Sequence, residues 1–126
     1  VVNTARQGAA FERRIIADLK QHGYDCIRSA ASKGAVDIVA VGPVIPHSDH
    51  AWVRLPVLFV QAKLSKPVIS PAERLAVQDL ALRANALPLV SWWAADETTG
   101  LMRVHYRQLT GPGAKDWAHW APGKDN

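Results

Sequence analysis

"VDIVAVGP", Val36 to Pro43, and "VLFVQAKLS", Val57 to Ser65, are two apolar segments with polar ends. Each has the length and the branched aliphatic content of a buried β-strand. Asp37 opens the first, while Gln61 and Lys63 close the second. Side chains alternate along a strand, so Asp37, Val39 and Val41 share one face, and Val57, Phe59, Gln61 and Lys63 share one face. Suppose the two strands pair antiparallel through the 42–56 connection, with Val41 opposite Val57. Val39 then meets Phe59, and Asp37 meets Gln61. The polar groups converge at one edge of the pair, with Lys63 two residues beyond Gln61.

The segment before these strands reads as a helix from Asn3 or Thr4 to about His22, stopped by Gly23. At about 100° per residue from Phe11, Ile15 falls near 40°, Leu19 near 80° and Ile16 near 140°, which defines the core stripe. Glu12 falls inside that stripe, near 100°. A carboxylate there needs a cation or good hydrogen bonds. One reading is a rim residue paired with an arginine for structure alone; the other is a functional acid, with Gly8 leaving space beside it. Arg13 and Arg14 point elsewhere, either as a solvated face with Arg14 paired to Asp18, or as phosphate contacts.

Beyond these elements, Tyr24 to Arg28 reads as a short strand and Ser29 to Ala35 as a loop. Residues 42–56 read as a loop or an extended hairpin tip. "SPAE" starts a second helix sharply, with Ser70 as cap, Pro71 at the first position and Glu73 closing a capping box; it runs to about Ala86. Leu89 to Trp93 and Leu101 to Tyr106 are further strands, separated by the turn "DETTG". The predicted order is αβββαββ.

The 126 residues suit one domain, 1–126, with 110–126 as a Gly- and Pro-rich extended tail. Hydrophobic residues make up 48%, enough for a packed core. The single Cys26 excludes an internal disulfide and a four-Cys zinc site. No apolar run approaches the roughly 20 residues that span a bilayer. No signal peptide is visible, so an intracellular (cytoplasmic) protein is the simplest expectation. The formal charge of +4 favours a polyanionic partner.

With Glu12 packed onto the face that carries Asp37, the edge gathers hard oxygen ligands: two carboxylates, the Gln61 amide oxygen and the Ala62 carbonyl. Such a set suits Mg²⁺ or Mn²⁺ and suits zinc poorly. Lys63 would stand where a water or a phosphate oxygen needs positive charge. Read singly, Asp37 is equally a strand-entry residue bonding the "SKGA" loop, and Gln61-Ala62-Lys63 an ordinary polar strand end.

A helix with Glu, a strand with Asp and a strand ending in (E/Q)-x-K resembles the PD-(D/E)XK nuclease superfamily. The order "FERRIIADLKQHGYDCIRSAASKGAVDIVAV…LFVQAK" most resembles the Holliday-junction resolvases of archaea and their phage relatives, over about residues 6 to 93. The resemblance implies an α/β, restriction-endonuclease-like fold with a mixed central sheet of about five strands flanked by helices. It implies a homodimeric endonuclease that hydrolyses DNA phosphodiesters at four-way junctions in recombination and repair, with Mg²⁺ as cofactor and Mn²⁺ as a substitute. A phage-encoded protein acting in a host cell fits it. Glu12, Asp37, Gln61 and Lys63 would be catalytic, and Glu12, Asp37, Gln61 and Ala62 would hold the metal. Arg13, Arg28, Ser32, Lys33 and Arg54 would contact DNA. Two positions depart from the pattern: Val36 stands where many members have Pro, and Gln61 where resolvases usually have Glu. The D…QxK form is typical of Mrr-like restriction endonucleases acting on duplex DNA. The missing carboxylate also suits a nuclease-fold protein that binds DNA without cutting.

Other features have readings both ways. "HSDH" (His47, Asp49, His50) reads as a solvated loop before it reads as a zinc site. Trp52 and Arg54 read as a hairpin tip over core or as a DNA contact. The second helix is apolar on two sides, through Leu75, Leu80 and Leu82, and suits a dimer contact; its Asp79 pairs with Arg83. Trp92 and Trp93 point to opposite faces of a strand. Trp117 and Trp120 read first as packing residues.

Overall fold

The structure, a computed structural model, describes residues 4–29, 34–49 and 51–123. Asn3, Ser32, Lys33 and His50 lie outside the described residues. The elements in chain order are α1 (Thr4–Gln21), β1 (Asp25–Arg28), β2 (Ile38–Val41), β3 (Val44–Ser48), β4 (Ala51–Arg54), β5 (Leu58–Ala62), α2 (Pro71–Ala84), β6 (Leu87–Ala95), β7 (Met102–Leu109) and β8 (Trp117–His119). Six strands form one sheet in the order β1-β2-β5-β6-β7-β8, and β3 with β4 forms a separate hairpin. Every neighbouring pair is antiparallel except β5 and β6, which run parallel with α2 as the crossover.

Both helices end as their sequences require. Gly23 takes φ 89°. There the Tyr24 N–H donates to the Leu19 carbonyl (3.2 Å) and the Gly23 N–H to that of Lys20 (3.1 Å), closing α1 in a Schellman turn. The capping box of α2 is complete: the Glu73 N–H donates to Ser70 Oγ (3.1 Å), and the Ser70 N–H to Glu73 Oε1 (3.2 Å). Asn85, left-handed at φ 54°, ends that helix.

The pairing between β2 and β5 is Ile38 to Val60, Val39 to Phe59 and Ala40 to Leu58. This is the register assumed from the sequence, with Val39 opposite Phe59. The helices lie on opposite faces of the sheet. Phe11, Ile15 and Leu19 of α1 pack with Ile38, Ala40, Leu58, Val60, Leu89 and Tyr106. Val77 of α2 packs with Val36, Val90 and Leu109, with Val39 and Phe59 against them. So α1 does not cover the face that carries Val39, the one of the same parity as Asp37 and Gln61; α2 does. Both faces are apolar, and alternation alone could not assign a helix to either.

Other details differ from expectation. The tail returns as β8, a sixth strand that pairs with β7 through Arg107–His119, Gln108–Ala118 and Leu109–Trp117. It is held by Arg74, 5% exposed, whose Nη1 donates to the carbonyls of Gly111 and Asp116, each at 3.0 Å. Residues 42–56 carry a true hairpin that does not cover core: every residue of β4 is exposed, Trp52 at 70%. Arg14 lies over the Trp93 ring (4.5 Å), not on Asp18. Asp18 instead accepts the Tyr106 hydroxyl at 2.6 Å, which ties α1 to β7. Asp79 and Arg83 do pair, at 3.1 Å. Trp93 packs on the α1 side, and Trp92 stacks on His105 across the sheet (5.2 Å). Trp120 packs edge-on against Tyr106. Among the described residues no helix is long and apolar enough to cross a membrane.

Candidate active site

Asp37 is fixed by the backbone around it. Its N–H donates to the Val60 carbonyl (2.9 Å), and its own carbonyl accepts from Ser29 (2.8 Å). Its Oδ2 accepts the Ala62 N–H at 2.8 Å, which bridges the start of β2 to the end of β5. The residue is 7% exposed. Burial raises its carboxyl above the ordinary value, against the Ala62 N–H and the Lys63 charge, which lower it; Glu73 adds to the rise.

Glu12 reaches the same place from α1. It is 5% exposed. Its Oε2 lies 3.5 Å from Arg28 Nε, an ion pair too long for a strong hydrogen bond. Its Oε1 has no hydrogen-bond partner. Burial raises this carboxyl too, opposed by Arg28 and aided by Asp37. Glu12 is therefore both the arginine-paired residue and a cleft-lining acid.

A cleft of about 230 Å³ is lined by Gly8, Phe11, Glu12, Asp37, Gln61, Ala62 and Leu64. A Cβ added at Gly8 would meet nothing within 4 Å, so this wall is open. The two acids share the cleft although α1 and α2 lie on opposite faces, because the cleft sits at the sheet end where β2 starts and β5 stops. Gln61 Oε1 is buried there without a partner. Its Nε2 donates to Glu73 Oε2 (3.2 Å). The Lys63 ammonium also donates to Glu73 Oε2, at 2.7 Å.

Glu12 Oε1 and Gln61 Oε1, two buried oxygens without a partner on residues that line one small cleft, are unfavourable unless a cation or donor meets them. The donor set of two carboxylates, an amide oxygen and the Ala62 carbonyl is all hard oxygen. A divalent ion of the Mg²⁺ type fits it. Among the described residues no group of three or more His, Cys, Asp or Glu side chains is arranged to hold a metal ion. The fit rests on the amide and the carbonyl beside the two acids.

The remaining candidates are placed unequally. Arg28 is engaged with Glu12 at the cleft. Arg13 is exposed on α1, and Arg54 is exposed at the end of β4; neither lines the cleft. Glu73 was legible only as half of a capping box. The signal that it does more is topological: a crossover helix after a parallel strand starts near the carboxyl end of that strand, where Gln61 and Lys63 stand.

An acid-bearing helix beside an Asp strand and a Gln-x-Lys strand is the arrangement that resembles the PD-(D/E)XK type of nuclease fold. The family model described as archaeal Holliday junction resolvase (hjc) matches residues 3–45, the stretch from α1 to β3. The fold is similar to that of Archaeoglobus fulgidus Hjc, a Holliday junction resolvase from an archaeal hyperthermophile. That match has a TM-score of 0.54 and 22% identity, over 79% of this chain and 70% of the other. No curated protein matches the chain.

Proposed function

We propose that this protein is a structure-selective DNA endonuclease. It resolves four-way junctions as a homodimer and depends on Mg²⁺, with Mn²⁺ able to substitute. The observation that carries the reading is the cleft lined by Glu12, Asp37 and Gln61, in which Glu12 and Gln61 each keep a buried oxygen without a partner. Lys63 stands just outside this lining, with its ammonium on Glu73 at 2.7 Å. The similarity to the Hjc fold supports the substrate class.

Glu12, Asp37, Gln61 and the Ala62 carbonyl would hold the ion. A bound divalent ion supplies Lewis acidity toward a phosphodiester and toward water. The chain's own part is positional. Ala62 N–H locks the Asp37 carboxylate in place, and Arg28 restrains Glu12. Lys63 brings positive charge toward the trigonal-bipyramidal phosphorus as the water oxygen adds and one bridging P–O bond breaks. Arg13, Arg54, Ser32 and Lys33 serve as phosphate contacts, which give affinity and register without reading sequence. Paired cuts across a junction need two such sites, and hence two chains related by a twofold axis. The outer face of α2, with Leu75 at 66% and Leu82 at 81% exposure, is an apolar surface suited to that contact.

A labelled four-way junction with Mg²⁺ tests the reading. Paired incisions near the crossover are expected, with none in EDTA and none in a linear duplex of the same sequence. Cutting of the linear duplex would identify an Mrr-like endonuclease. Tight junction binding with no product would identify a nuclease-fold DNA-binding protein in which Gln61 marks a weakened metal site.

A further inference from the structure

We infer that Glu73 is a positioning residue of the metal site, fixing the Gln61 amide with its oxygen turned away from α2 and toward the cleft. The inference rests on the nuclease reading above and explains how a Gln-x-Lys strand can serve it.

The geometry assigns the amide's orientation. A carboxylate only accepts hydrogen bonds, so the group that Gln61 presents to Glu73 Oε2 at 3.2 Å is its NH₂. The amide oxygen is then turned away from Glu73. It is buried, has no hydrogen-bond partner, and belongs to a residue that lines the cleft with Glu12 and Asp37. Without an acceptor at residue 73, the amide would be free to rotate and hydrate its oxygen.

Glu73 is well placed to act as an anchor. Its Oε1 accepts the Ser70 N–H at 3.2 Å, so the side chain is tied to the first turn of α2. Its Oε2 points the other way and takes both Gln61 and Lys63. Helix capping needs only the first oxygen. The second holds the two polar residues of the strand end in a fixed relation. A carboxylate hydrogen-bonded to the NH₂ end of an amide also makes the amide oxygen a better donor toward a cation.

Calorimetric titration of the intact protein with Mn²⁺ tests this without any cleavage assay. Glu73→Ala should weaken Mn²⁺ binding about 10- to 100-fold, the usual range for partners that orient a metal ligand. Ser70→Ala breaks the same capping box from the other side and should leave affinity within about twofold of wild type. Glu73→Gln keeps an acceptor oxygen and should recover part of the loss. Because Glu73 acts through Gln61, adding Glu73→Ala to Gln61→Ala should weaken binding by no more than about a further twofold. Unchanged affinity in Glu73→Ala, a loss matched by Ser70→Ala, or full additivity with Gln61→Ala would each overturn the inference and leave the nuclease reading standing. A wild-type protein that binds no Mn²⁺ would overturn the nuclease reading itself, and this inference with it.

Discussion

The Oδ2 of Asp37 accepts the backbone N–H of Ala62 across 25 residues of sequence, at 2.8 Å. This bond joins the first residue before β2 to the last residue of β5. It brings an acid against the Gln-x-Lys strand end, and the chemistry proposed here depends on that junction.

The buried acids of the cleft tie stability to pH, and the proposed metal would change that dependence. Burial raises both Asp37 and Glu12 above their ordinary values of 3.8 and 4.5. A carboxyl raised in the folded state favours the fold at pH below its unfolded value, and that advantage is lost as pH rises through the raised value. In metal-free protein the contribution of these two acids should therefore fall as pH climbs from about 4 toward neutrality, against Glu73 and Asp96, which are held below their ordinary values and contribute more as pH rises. Adding Mg²⁺ at neutral pH should raise stability, by about 2.7 kcal/mol at a hundred times Kd. Thermal melts with and without EDTA across this range check both halves.

Tyr106 is buried in the core beneath α1, and its hydroxyl also donates to Asp18 of that helix. Burial and the Asp18 carboxylate both push its ionisation far above the ordinary tyrosine value. Tyr106→Phe should destabilise the fold by about 1.5–3 kcal/mol, the range for a hydrogen bond to a charged group. Urea unfolding followed by tryptophan fluorescence measures it.

Arg74 is the clamp on the C-terminal strand. Arg74→Met keeps the apolar stem and leaves the carbonyls of Gly111 and Asp116 without that donor. A loss of about 1.5–3 kcal/mol is expected. Hydrogen exchange should show β8 opening first, while amides of β2 and β5 keep their protection.

The elements around the site were largely legible in sequence. Alternation gave the faces of β2 and β5, the pairing of Val39 with Phe59 followed from an assumed register that the fold adopts, and "SPAE" marked the start of α2. Three things were not legible. The side on which α1 packs was hidden because Ile38, Ala40, Leu58 and Val60 are as apolar as Val39 and Phe59. The strand β8 depends on Arg74, 37 and 42 residues from the carbonyls it binds, and no local pattern in a Gly-rich tail reports such a contact. Glu73 was hidden behind a sufficient local explanation: its Oε1 completes a capping box, and only the tertiary fold shows where Oε2 points.

The exposed leucines of α2 give the proposed dimer its test. Leu75 and Leu82 lie seven residues apart, on one side of the helix. Leu75→Asp with Leu82→Asp should shift the protein from dimer to monomer in sedimentation, and convert paired junction incisions into single nicks. A variant that stays dimeric would move the contact to another surface.

The claim that Glu12 and Asp37 serve one cation is tested most directly by a double-mutant cycle on Mg²⁺-dependent junction cleavage. The members are Glu12→Gln, Asp37→Asn and the pair together. Residues acting as a unit are strongly non-additive. Each single change should cut the rate at least about 100-fold while junction binding persists, and the double variant should be no slower than the worse single one. Rates that fall by the product of the two single losses, or an Asp37→Asn protein that still cuts, would contradict the account.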